Sequence, residues 1–118
     1  MATNVLRIRR SAPEATLLVL TGNLHGSTEK GTPWPELVPM GWHLAQSVQG
    51  VKSLFAAYAS GTAWVCRTNN ECGPNPMRGT DRGSSAFVKV SSERAGYDGI
   101  LYVGAIEASP PALDPSAR

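Results

Sequence analysis

A chain of 118 residues, 42% apolar and 17% charged, has the bulk for one ordinary domain and too little charge for a disordered tail. Eight arginines and three lysines stand against nine carboxylates, and a net charge of +2 is too small an electrostatic footprint for nucleic acid. No apolar run approaches the ~18 residues of a membrane span, and MATNVLRIRR lacks the apolar stretch of a secretory signal, so a cytoplasmic setting away from membranes is expected.

Residues 4–10 alternate, with Leu6 and Ile8 on one side and Val5, Arg7 and Arg9 on the other, which predicts a half-buried strand near a sheet edge. A proline-containing turn at 11–14 leads into ATLLVLT at 15–21, apolar on both faces and so expected as a central, doubly covered strand. Residues 22–35 form a polar loop with three glycines and two prolines. Leu44, Val48, Val51, Phe55 and Tyr58 then follow at intervals of four, three, four and three, the stripe of a helix. Pro39 lies too far inside to be part of it, so the helix is expected at about 40–59, after an irregular turn at 36–39 and before a stop at Ser60 and Gly61.

Residues 62–68 (TAWVCRT) have strand character with Trp64 in the core, and 69–84 read as a second long loop. Two more strands are expected at 85–91 and 99–108, joined by a short connection at 92–98. The order β-β-α-β-β-β predicts an α+β fold: one two-layer domain over 1–108, about five strands in a mixed or antiparallel sheet with one long helix on one face. The proline-rich tail 109–118 is expected to be loose.

The loop after the apolar strand, GNLHGSTEKG, places His25, Ser27, Thr28, Glu29 and Lys30 within six residues, but it lacks the Gly-Lys-Ser/Thr ending of a phosphate loop. His25 is the best candidate for acid–base chemistry, with Glu29 or Asp81 as its partner; the bland alternative is a solvated connection. His43, one position before Leu44, falls at the margin of the helix stripe and reads as structural or solvated. Arg67, Arg78 and Arg82 would serve as forked anion contacts, unless Asp81 pairs locally with Arg78 or Arg82. Trp34, between prolines in TPWPE, is the best contact anchor.

Cys66 and Cys72 in CRTNNEC match no zinc spacing, and a four-ligand site would consume both histidines, so neither metal nor cofactor is expected. Two reduced thiols are the favoured state, with a local disulfide as the alternative. The leading functional expectation is a non-catalytic protein that contacts a protein partner or itself through long loops and exposed aromatics. A small hydrolase or nuclease-like enzyme centred on His25 and a homo-oligomeric structural subunit are the alternatives.

Overall fold

A computed structural model describes residues 1–66, 71–91 and 93–109. Within them the chain forms α1 (Ala2–Ser11), α2 (Asn23–Gly26), α3 (Met40–Ser47), β1 (Leu54–Ala57), β2 (Ser60–Cys66), β3 (Cys72–Arg78), β4 (Phe87–Val90) and β5 (Gly99–Tyr102). The α+β class holds, but the expected single long helix and single five-stranded sheet do not. There are two sheets among the described residues, one in the order β1-β5-β4 and one pairing β2 with β3. The chain divides into two compact units, Met1–Ala56 with Val88–Leu101, and Ala57–Phe87 with Tyr102–Arg118.

In the first unit α1 and α2 both pack on α3. The expected strand at 4–10 is a helix, and the covered positions show why: Ala2, Val5, Leu6 and Arg9 are half-buried, a spacing of three, one and three that closes on a helical face. Ile8, which the alternation had paired with Leu6, is exposed. Leucine and arginine are good helix formers, and Arg9 and Arg10 in the last turn complement the helix dipole. Arg9 also ties down the chain beyond, its Nη1 donating to the carbonyl of Ala15 at 2.6 Å.

The predicted helix at 40–59 is cut in two. Helix α3 ends at Ser47, Val48 is already extended (φ −139°, ψ 132°), and Gly50 takes φ +77°. That conformation costs a glycine little and turns the chain, so Phe55 falls in β1, flanked by Val51 and Tyr58, rather than in a helix. Leu44 is buried, while Val48, Val51, Phe55 and Tyr58 are half-buried. The stripe therefore marked covered residues correctly while its period misassigned their backbone. Met40, Leu44 and Ile100 are the buried apolar centre of this unit.

The expected central strand at 15–21 is the largest departure. Residues 16–22 belong to neither helix nor sheet, and Leu18 and Leu20 are 92% and 95% exposed.

The second unit is organised around the antiparallel β2–β3 hairpin, in register from Ser60 opposite Arg78 to Cys66 opposite Cys72. Strand β3 lies inside the stretch expected to be loop. Pro74 and Pro76 are compatible with it because they share one parity, and the outer edge of a two-stranded ladder needs no N–H from them. Trp64, expected in the core, is 39% exposed on this ribbon. The register also settles the cysteines. Cys66 and Cys72 face each other with Cα atoms 4.0 Å apart and form a disulfide, not the two free thiols expected.

The final strand ends at Tyr102, short of the expected 108, and Gly104 turns the chain at φ +76°. Residues 103–106 then run beside 57–62, through hydrogen bonds from Val103 N to Ala57 O and from Thr62 N to Ile106 O, both at 3.0 Å. Tyr102 is fully buried and stacks obliquely on Phe87, ring centroids 5.2 Å apart.

Candidate functional site

The segment carrying His25 was expected to be a polar loop, and its placement is fixed by more hydrogen bonds than that suggests. The Asn23 side chain pairs with the backbone of Ala56 in both directions, donating from Nδ2 at 2.9 Å and accepting at Oδ1 at 2.8 Å. Tyr97 donates its hydroxyl hydrogen to the carbonyl of Asn23, and Ser53 Oγ donates to the carbonyl of Gly26 at 2.6 Å. Thr28 donates twice to the carbonyl of Gly96, from its N–H at 2.9 Å and from Oγ1 at 3.0 Å. These straps hold the single turn of α2 from both ends.

Helix α3 seats directly against that turn. A Cβ on Gly41 would lie 2.3 Å from the carbonyl oxygen of Gly26 and 2.5 Å from that of Ser27, so only glycine permits the approach. The same contact brings the two histidines of the chain to one place. His25 from α2 and His43 from α3 line an open cavity of about 410 Å³, together with Thr3, Leu6, Met40 and Ser47. Met40, His43 and Ser47 follow one face of α3 at intervals of three and four. His43 was taken from the sequence as a marginal residue; the halving of the helix leaves it on the face toward α1. Its imidazole also meets the edge of Trp42, whose ring carries Lys30 Nζ at 5.2 Å from its centroid.

The cavity lining contains two imidazoles and two hydroxyls but no carboxylate and no arginine. Glu29 is exposed in the same unit, outside the lining. Asp81, Arg78 and Arg82 belong to the second unit, where Asp81 Oδ1 accepts from the N–H of Gly83 at 2.9 Å and from the Tyr102 hydroxyl at 3.3 Å. The backbone N–H of Arg82 donates to that hydroxyl at 3.2 Å, so Asp81 belongs to a turn built on buried Tyr102. Arg78 is exposed at the end of β3. Arg67 lies outside the described residues. No cluster of three or more His, Cys, Asp or Glu able to hold a metal occurs among the described residues.

Trp34 is 53% exposed on a closed turn: the N–H of Leu37 donates to the Trp34 carbonyl at 3.0 Å, and that of Gly31 donates to the Leu37 carbonyl at 2.8 Å. The indole is therefore presented on fixed backbone, although its segment is irregular.

Two groups in this unit titrate away from their ordinary values, both in support of the scaffold. Hydrogen bonds from Lys52 Nζ at 2.8 Å and from the N–H of Ser53 at 2.9 Å hold the Asp98 carboxyl below the usual carboxylate range. Burial pushes the Tyr97 hydroxyl up, which keeps it protonated as the donor to Asn23. Compared with family models, curated proteins and solved structures, the chain matches none of them.

Proposed function

We propose that the chain is a small non-catalytic interaction protein that contacts a protein partner through its long loops and exposed aromatic side chains. The observation that carries this reading is Trp34, more than half exposed on a turn closed by two backbone hydrogen bonds. An aromatic on ordered backbone loses little conformational freedom when it docks, which is how a single residue comes to dominate an interface. Arg78, Arg82 and Arg67 belong to the same reading as forked contacts to carboxylates of the partner. No helix among the described residues is long and apolar enough to cross a membrane. The cytoplasmic setting was read from the lack of an apolar leader, and the Cys66–Cys72 disulfide is of a kind more at home in an oxidising compartment.

The test is capture of cross-linked partners by immobilised chain. Trp34→Ala is expected to weaken recovery of whatever the parent retains by at least tenfold, equivalent to about 1.4 kcal/mol or more. Equal recovery by the two proteins refutes the assignment of Trp34 as the anchor.

A second reading, a small hydrolase or nuclease-like enzyme, is favoured by one observation: His25 and His43 share a cavity of ligand size. In that reading His25 is the acid–base group with Glu29 or Asp81 as its partner, and His43 is a further imidazole on the same cavity. His25→Ala should then lower turnover by about 10²–10⁴-fold in a hydrolase screen while leaving the fold intact. Unchanged turnover removes this reading.

A further inference from the structure

The last described residues run along β2 and leave it beside an exposed tryptophan. Strand β2 has β3 on one edge. On the other, Ile106 lies parallel to it opposite Gly61, its N–H donating to the Ser60 carbonyl and its carbonyl accepting from the Thr62 N–H, both at 3.0 Å. Gly61 lets the two backbones seat this closely, since a Cβ there would strike the Ile106 carbonyl. Two residues on, the pairing changes. The Ala108 N–H donates to the Thr62 hydroxyl at 3.0 Å, where a continued ladder would use the Thr62 carbonyl. That bond draws the chain off the edge of β2 onto the face that carries the Thr62 side chain. Trp64 is next on that face, since side chains two apart in a strand share one side, and it is 39% exposed opposite Pro74.

We propose that the segment following Ser109, Pro110 to Leu113, crosses that face and packs on the Trp64 indole of the same chain, as a strap over the ribbon. Residues 110–118, expected from their composition to be loose, lie outside the described residues; the strap is placed by the described chain that leads into it. The parallel run of 106–108 sets its direction, and the Thr62 hydroxyl sets its side. The distance also matches: Trp64 lies two residues beyond Thr62, about 6.6 Å in a strand, and Pro110 two residues beyond Ala108, about 6.2 Å in polyproline conformation. Pro110 and Pro111 bring no N–H, so the ladder cannot resume, and each restricts the residue before it to extended backbone, which keeps Ser109 and Pro110 on course. Proline rings against an aromatic surface are a recurring contact of proline-rich segments, and their preset backbone loses little entropy in making it. No charge occurs in 108–113 or on Thr62, Trp64, Pro74 and Pro76, so the contact desolvates no ion. The strap is autoinhibitory: a partner that needs Trp64 must displace it, and one that uses Trp34 need not.

Nuclear magnetic resonance of the full chain tests the strap. The ring protons of Pro110 and Pro111 should shift upfield under the Trp64 ring current and show cross-relaxation to its indole protons, equally at every protein concentration. Trp64→Ala should abolish the upfield shift, and Trp34→Ala should leave it unchanged. Should Trp64→Ala not fold, Pro110→Ser combined with Pro111→Ser reads the contact from the other side: the Trp64 indole N–H resonance must move while those of Trp34 and Trp42 stay. Proline protons at their unstructured positions in the parent, or a Trp64 resonance indifferent to the serine substitutions, would overturn the proposal. Shifts that grow with concentration, or cross-relaxation between labelled and unlabelled copies in a mixed sample, also overturn it by putting a second chain on Trp64. Shifts that appear only when a captured protein is added overturn it by putting a foreign segment there.

Discussion

Asp98 shows how much of the first unit hangs on single side chains. Its two acceptor oxygens hold neighbouring residues just before β1, one the Lys52 ammonium and the other the N–H of Ser53. Because folding lowers this carboxyl's pKa, its contribution is complete above the unfolded value of about 3.9 and is lost as pH falls through the lower folded value. Asp98→Ala, which strands the Ser53 N–H, should cost about 1–3 kcal/mol at neutral pH in a denaturant titration. The penalty should shrink toward zero in strong acid, where the parent has lost the same interaction. Gly41 gives a prediction of opposite sign to helix propensity. Alanine is better than glycine inside a helix by about 1 kcal/mol, yet its Cβ would strike the carbonyls of Gly26 and Ser27. Gly41→Ala should therefore destabilise, by roughly 1–3 kcal/mol, and thermal unfolding will show the sign. Neither role was visible in the sequence, because a glycine's close approach and a carboxylate's partners are both tertiary facts.

At the scale of the element, the sequence was read best where one pattern had no competitor. The strand character of 62–66 and 87–90 was legible because β-branched and aromatic residues agree there with alternation. Residues 2–11 failed because Leu6 and Ile8 suit a period of two while 2, 5, 6 and 9 suit 3.6, and packing on α3 decided between them. The long stripe failed at Gly50, whose left-handed conformation breaks a helix that side-chain spacing alone would carry through. Of the candidate site, His25 was legible from its loop and His43 was not, since only the truncated helix and the Gly41 contact bring the two together. The hairpin carries its own prediction. Denatured, non-reduced protein should show no titratable thiol, and reductant should lower the melting temperature. In the chain-entropy account a loop this short is worth about 2–3 kcal/mol, and two titratable thiols would contradict the pairing.

Across the whole molecule, burial is uneven. Among the described residues the buried apolar side chains are few, Pro39, Met40, Leu44, Ala57, Ile100 and Tyr102, while a continuous apolar run lies open at 17–20. Local opening follows the density of such contacts, so a protease with a taste for leucine should cut first between residues 16 and 21. Mass spectrometry of early fragments checks this, and a first cut within 40–47 or 99–102 would contradict it.

The Asn23 amide has a consequence for how far this sheet can grow. β1 is an outer strand, and the Ala56 N–H and carbonyl, which would otherwise await another strand, are occupied by one side chain carrying both a donor and an acceptor. Asparagine alone has that pair of groups at that reach; aspartate would set a carboxylate oxygen against the Ala56 carbonyl, and leucine would leave both groups bare. The amide is in effect a one-residue strand that cannot be extended. Losing it would leave β1 open at Ala56 in a sheet whose other margin, β4, already shows Val88 and Val90 to solvent. A sheet open on both margins is the geometry of a fibre, and Asn23 is the residue that denies it a second growing end.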